Sequence, residues 1–265
     1  MHAELTFQLA TLYGFLLALA RVSGVVVFVP IPGFSAGPDA SRVVLALALT
    51  IALFPAWPTL APQNGPALPA GRLLGMLCEE SLFGVTVGLA VSFLLEGLQL
   101  AAQVLGLQAG YSYASTVDPS TQADTTTLQL MAQLLAGMLF FTMGFDRQVL
   151  QALAKNLETS AGSAFSLAGS VAAAQAVEAI VRLGTAIFST GLQLAMPVLA
   201  LLVLLDIAFA VLGRLHAQLQ LLSLSFAIKM LTALTLLAGV LSVYPAIFER
   251  SGRITFAVLD RVLNP

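Results

Sequence analysis

From its N-terminus onward, the chain is a succession of apolar stretches in which charged side chains are rare interruptions. Runs without Asp, Glu, Lys or Arg cover residues 22–38, 43–71, 97–117, 125–145, 183–205 and 230–248. About 20 apolar residues of helix cross a hydrocarbon core of roughly 30 Å, and 183–205 and 230–248 meet that length most cleanly. Backbone polar groups in lipid must be bonded within their own element, which favours helices. Membrane strands would alternate apolar and polar residues over about ten positions, and no such alternation is sustained. The pattern therefore predicts an all-α chain with helices over 5–29, 40–57, 71–98, 125–152, 174–212 and 216–249.

Breaks in the pattern coincide with turn formers. Pro30 and Pro32 end the first helix, because proline has no N–H to donate and biases its predecessor away from helical backbone. Prolines 55, 58, 62, 66 and 69, together with Asn64-Gly65, mark Pro55–Gly71 as a loop. Thr159–Ala174, rich in Ser, Gly and Ala, reads as a second loop or a mobile connection. Nothing reads as a linker between independent domains.

Composition sharpens this picture. Of 265 residues, 58% are hydrophobic and only 9% charged, with a mean hydropathy of +0.95; a soluble domain devotes about a quarter of its residues to charge. Too little polar surface exists to cover a water-facing globule, so most of the chain must face lipid or other protein. Met1–Glu4 lacks the basic start of a cleaved signal, so Phe7–Val29, with Arg21 inside it, is expected to be a retained helix. With six spans, seven Lys and Arg lie on the side of both termini and three opposite, which places the termini in the cytoplasm. One cysteine, Cys78, excludes an intrachain disulfide. A net charge of −2 without a basic tract gives no footprint for nucleic acid.

Catalytic chemistry finds little to stand on. His2 and His216 are the two histidines, and HExxH, CxxC, GxSxG and the nucleotide-binding GxxxxGK[ST] are all missing. Three other features are more telling. Glu80, Gly84, Gly88, Ser92 and Glu96 recur every four residues as a slowly winding stripe, and small residues at this spacing allow helix backbones to approach in lipid; the stripe is expected to face protein. The segment Gln99–Pro119 is polar for its depth, with Gly106 and Gly110 weakening a helix and Tyr111 and Tyr113 amphipathic. Such a stretch either lines an aqueous cavity or lies buried in protein, or is an interfacial loop anchored by its tyrosines. Asp206, Arg214 and Lys229, rare ions in an apolar half, either pair or line a path, or mark span ends with Lys229 reaching to the interface.

Several of these segments together resemble the FliR family of flagellar and type III secretion export-gate proteins. The resemblance runs from about Ala20 to Leu236 and includes ARVSGVVVFVPIPGF, the 80–88 stripe, QVLGLQAGYSYASTVDP, LFFTMGFDRQVLQAL, LAMPVLALLVLLDIAFAVLGR and FAIK ending at Lys229. The chain departs from the family pattern at Phe145, Asp146, Ala217, Gln220 and Ala227.

The resemblance implies membrane-associated helical hairpins. A part resembling a P-type subunit (1–175) would precede a hairpin resembling a Q-type subunit (176–265), the whole being one integrated domain. It further implies a non-enzymatic gate subunit without cofactor or metal, part of a channel for unfolded substrates at the basal body in the bacterial inner membrane. Implied partners are P-type and Q-type subunits, an FlhB-like switch protein, an FlhA-like export protein, substrates in transit and membrane lipid, with no nucleic acid. The matching plug loop is Gly106–Ala114, with Gly106, Leu107, Gln108, Gly110, Tyr111 and Tyr113 as its candidate residues. The 80–96 stripe would pack against neighbouring subunits, and Asp206, Arg214 and Lys229 would bond across helices or chains. A secondary transporter of a small solute is the alternative; it would be expected to carry repeated halves, and the proline-rich 55–71 segment has no counterpart in the second half.

Overall fold

The computed structural model describes residues 2–29, 39–58, 70–111, 127–159, 170–215 and 221–263. Among them are helices α1 (His2–Phe28), α2 (Asp39–Ala52), a 3₁₀ turn (Phe54–Ala56), α3 (Ala70–Ala109), α4 (Thr127–Thr142), α5 (Phe145–Thr159), α6 (Ser170–Leu215), α7 (Leu221–Val240) and α8 (Tyr244–Leu263). No strand occurs among the described residues, and the chain is all-α. Residues 59–69 of the proline-rich segment and 160–169 of the Ser/Gly-rich one lie outside the described residues.

Several boundaries differ from the sequence expectation. The third helix does not stop at 98 but continues to Ala109, so half of the expected loop is helical. The expected helix 125–152 is two helices bent by 60° at Gly144, whose φ of +71° no helix interior accommodates. The expected helix 216–249 is likewise two, bent by 64°. Pro245, in the first turn of α8, has no N–H to offer the Leu241 carbonyl, so α7 cannot continue through it. The residues beyond 249, expected as a tail, complete α8: Phe248, Thr255 and Leu259 are buried on one side, while Glu249 and Arg253 pair on the other at 2.8 Å.

Six spans were expected. Three helices are long and apolar enough to cross a membrane, within 11–28, 70–109 and 177–215, or five if each bent pair counts as one span. The missing one is α2: Ala40–Ala52 is apolar but too short for a roughly 30 Å core.

The chain divides into two units that interleave in sequence. One comprises Met1–Phe93, Phe141–Leu183 and Ile254–Pro265, the other Leu94–Phe140 and Gly184–Arg253. In the first unit, Val22 and Val26 of α1 enclose Ala46 of α2, with Leu45, Leu49 and Leu53 packed around them. Ala18, Ala56 and Leu157 form a second cluster against Trp57, whose indole N–H donates to the Thr50 carbonyl at 2.8 Å. The i, i+4 series Phe145, Val149, Leu153 and Leu157 supplies the buried face of α5, the stripe expected of a half-covered helix.

Candidate functional site

In the second unit, α3, α6 and α7 meet at a polar junction built around one carboxylate. Asp206 on α6 accepts from Lys229 Nζ through Oδ1 at 2.8 Å and from Gln108 Nε2 through Oδ2 at 2.8 Å. One turn onward, the Tyr111 hydroxyl donates to the Met230 carbonyl at 3.0 Å. Lys229 is 12% exposed and Asp206 41%, so the ammonium is the more withdrawn partner. Each oxygen of the carboxylate thus has a donor on a different helix, which satisfies a lysine that is costly to leave unpaired among apolar helices.

The geometry at residue 110 is what lets α3 end at this junction. Gly110 has φ +88°, its N–H reaches the Leu107 carbonyl at 3.3 Å, and the Tyr111 N–H reaches the Gly106 carbonyl at 2.9 Å. This crossed pair of bonds is the Schellman cap, in which glycine takes the left-handed backbone and the last carbonyls are satisfied. A Cβ at position 110 would lie 2.9 Å from the Phe226 ring of α7, so a second reason, close packing, also selects glycine there. Further back, Gly191 of α6 lies against the Gly97 backbone, where a Cβ would come within 3.0 Å of the Gly97 carbonyl oxygen.

The first unit carries another ion pair. Arg21 of α1 is 2% exposed; its Nε and Nη2 both reach Glu80 Oε2 of α3 at 2.5 Å, and its guanidinium carbon lies 4.4 Å from the centre of the Phe83 ring. Beside it the backbones of α1 and α3 touch. A Cβ on Gly24 would approach the Ser81 carbonyl oxygen and Val85 nitrogen at 2.8 Å, and one on Gly84 would fall onto the Arg21 carbonyl. Gly88 is held as tightly, with the Phe28 Cβ and Val25 carbonyl oxygen each 2.9 Å from where its own Cβ would be.

The sequence-derived candidates are distributed as follows. Over Glu80, Gly84 and Gly88 the stripe is occupied by α1 of the same chain, not left for a neighbour. Ser92 is half-buried and Glu96 exposed. Gly106 is buried inside α3, whereas a loop bend was expected of it; Leu107 is exposed, Gln108 and Tyr111 are half-buried, and Tyr113 lies outside the described residues. Asp206 and Lys229 come together, while Arg214, near the end of α6, is exposed and has no partner among the described residues. Sequence reasoning missed two pairings, Arg21 with Glu80 and Gln108 with Asp206. The available signal for the first was that Arg21 is an isolated cation in a long apolar helix and so calls for a carboxylate, although Glu79 beside Glu80 left the partner open; for the second there was none, since residues 108 and 206 share no periodicity.

These features define an all-α protein whose longest apolar helices are long and apolar enough to cross a membrane, with α1 joined to α3 by the Arg21–Glu80 pair and α6 joined to α3 and α7 through Asp206. Residues 12–253 match the profile of the bacterial export proteins, family 1, and the chain belongs to that family. It is 25% identical over 246 residues to the flagellar biosynthetic protein FliR of Escherichia coli (strain K12), covering 93% of this chain and 91% of that one. Similarity to the flagellar biosynthetic protein FliR of Pectobacterium carotovorum subsp. carotovorum is 28% identity over 233 residues (88% and 87%). To that of Caulobacter vibrioides (strain ATCC 19089 / CIP 103742 / CB 15) it is 27% over 228 (85% and 87%). The family resemblance drawn from the motifs thus holds along nearly the whole chain.

Proposed function

We propose that this chain is a non-enzymatic subunit of the flagellar protein export gate, set in the bacterial inner membrane at the basal body and forming part of the channel for unfolded substrates. The observation that carries this reading is the match to flagellar biosynthetic proteins named FliR over most of both chains. A physical argument from α6 supports it. Its apolar stretch of 39 residues (177–215) is about 58 Å long at 1.5 Å per residue, nearly twice a hydrocarbon core of about 30 Å. Even a tilt of about 40°, the upper end for such helices, leaves it too long. Only 22% of its apolar window is buried within the chain, so lipid and this molecule together leave part of it uncovered. Other subunits are the natural cover, which fits P-type and Q-type neighbours and a P-like 1–175 followed by a Q-like 176–265.

In this reading the junction of Gln108, Asp206, Lys229 and Tyr111 anchors the base of the plug, with the turn at Gly110 directing the chain onward from α3. Deleting the chain from its host should abolish secretion of hook and filament proteins, and a plasmid copy should restore it. Undiminished secretion by the deletion strain overturns the proposal. Removing 106–114 in an assembled gate is expected to raise ion leak across the membrane; unchanged conductance would count against the plug.

A further inference from the structure

The C-terminal end of α2 is an exposed turn built without polar surface. Val43, Leu47 and Ile51 of α2 are uncovered, and so are Phe54, at 59% exposure, and Pro55 in the 3₁₀ turn that follows. Surface turns are ordinarily polar, because their backbone groups bond to water. Here the bonds are made internally. The N–H groups of Leu53, Ala56 and Trp57 donate to the carbonyls of Leu49, Leu53 and Phe54 at 3.0, 2.9 and 3.2 Å. Pro55 and Pro58 have no N–H to satisfy, and the Trp57 indole occupies the Thr50 carbonyl. The Trp57 ring lies against Phe15 and Phe54, with centres 5.3 and 4.9 Å away.

The position of this turn along α1 sets its depth. The apolar window of α1, 18 residues from Thr11 to Phe28, is long enough to cross a membrane. Ala56 clusters with Ala18, and a Cβ on Gly14 would meet the Pro58 carbonyl oxygen at 2.9 Å. Positions 14 and 18 lie inside that window, about 5–10 Å from its start at 1.5 Å per residue. The 14 residues of α2 measure about 21 Å, which falls short of the far edge of a roughly 30 Å core.

Both measures leave the turn within the hydrocarbon. Non-helical backbone at that depth is tolerated when protein covers it, and the chain turns inward at once after Pro55, with Ala56 and Pro58 buried. Water would face bare Ile51, Phe54 and Pro55. A sister helix is the poorer cover. α1 and α3 meet through Gly24, Gly84 and Gly88, whereas between Val43 and Pro55 the outer face of α2 has nothing smaller than Ala48 and Ala52 and exposes no polar side chain to bond across an interface.

We infer that the Ile51–Pro55 end of α2 is seated among the acyl chains of the bilayer, a helix end held at membrane depth with Phe54 as its lipid contact. It fixes how deeply the first unit sits. This needs only that α1 crosses the membrane, and it stands apart from the export-gate reading.

Trp57 is the only tryptophan of the chain and reports on the turn directly. The chain, purified with its partner subunits, is placed in vesicles and compared with a Trp57→Phe preparation, so that the difference in emission belongs to Trp57. Phosphatidylcholine brominated within its acyl chains should quench that difference by roughly half, since bromine and indole then share the hydrocarbon, and aqueous iodide should leave it unchanged. Quenching by iodide, or none by the brominated lipid, overturns the inference. A photo-crosslinking side chain in place of Phe54 gives a second readout that does not rely on emission. Linkage to lipid supports the seat in the bilayer, and linkage to a sister subunit overturns it. Phe54→Asp should lower recovery of the membrane-bound chain several-fold, because a carboxylate in hydrocarbon is costly, while Phe54→Leu leaves it unchanged; equal recovery of the two also overturns it.

Discussion

Arg21 and Glu80 show what a single charge does in a chain with so few. Each alone would be a burden in an apolar helix, yet together they span α1 and α3 with Phe83 under the guanidinium. Breaking such a buried pair from one side typically costs about 3–5 kcal/mol, since the survivor is left uncompensated. Glu80→Ala is therefore expected to lower sharply the yield of folded chain recovered in mild detergent, and the double variant Arg21→Met/Glu80→Leu should recover much of it. Equal yields for the single and double variants would refute the pairing argument. The same logic applies at Asp206, where two donors depend on one carboxylate. Asp206→Ala should impair thermal stability of the assembled gate more than Asp206→Ala/Lys229→Met, which removes both ions; the reverse order would show that Lys229 is satisfied elsewhere. Asp206 and Lys229, 23 residues apart, were already grouped in the sequence as ions expected to bond, whereas Arg21 and Glu80 were not matched with each other, because they lie 59 residues apart and meet only through packing.

At the scale of the element, two glycines share a left-handed backbone but differ in surroundings. Gly110 closes α3 under the Phe226 ring, while Gly144 turns α4 into α5 with open space around the site of its missing Cβ. An L-residue in this conformation costs about 1–2 kcal/mol, so Gly144→Ala is expected to carry that strain alone. Gly110→Ala should carry it and displace Phe226 as well. Melting of the assembled gate, followed by loss of helical signal, should drop further for Gly110→Ala than for Gly144→Ala; equal shifts would mean that the Phe226 contact is without consequence. Prolines make a parallel contrast. Pro245 ends one helix and opens the next, whereas Pro197 sits inside α6, and the sequence marks both with the same residue type.

At the scale of the molecule, α6 presents Val177, Val181, Phe188, Leu192, Leu204 and Leu215 uncovered. Exposed apolar surface of that extent marks contact with lipid or with other chains. Expressed without its partner subunits, the chain is expected to be degraded or to aggregate in detergent, and co-expression with them should raise its yield several-fold; a monodisperse monomer in mild detergent would contradict this. Charge-free apolar runs by themselves determined that the chain is helical, with helices long and apolar enough to cross a membrane, and the order of its motifs determined its family. Helix existence is local, written in apolar runs and in prolines that lack a donor. Tertiary structure decided that α3 runs on through 99–109, because a stretch carrying Gln99, Gln103 and Gln108 is poor lipid-facing material yet makes good helix once Leu98, Leu105 and Ala109 are buried, while Gly110 supplies the local stop. It also decided which ion meets which, and that α1 covers Gly84 and Gly88, since such contacts depend on which helix faces are brought together and leave no periodic trace along the chain.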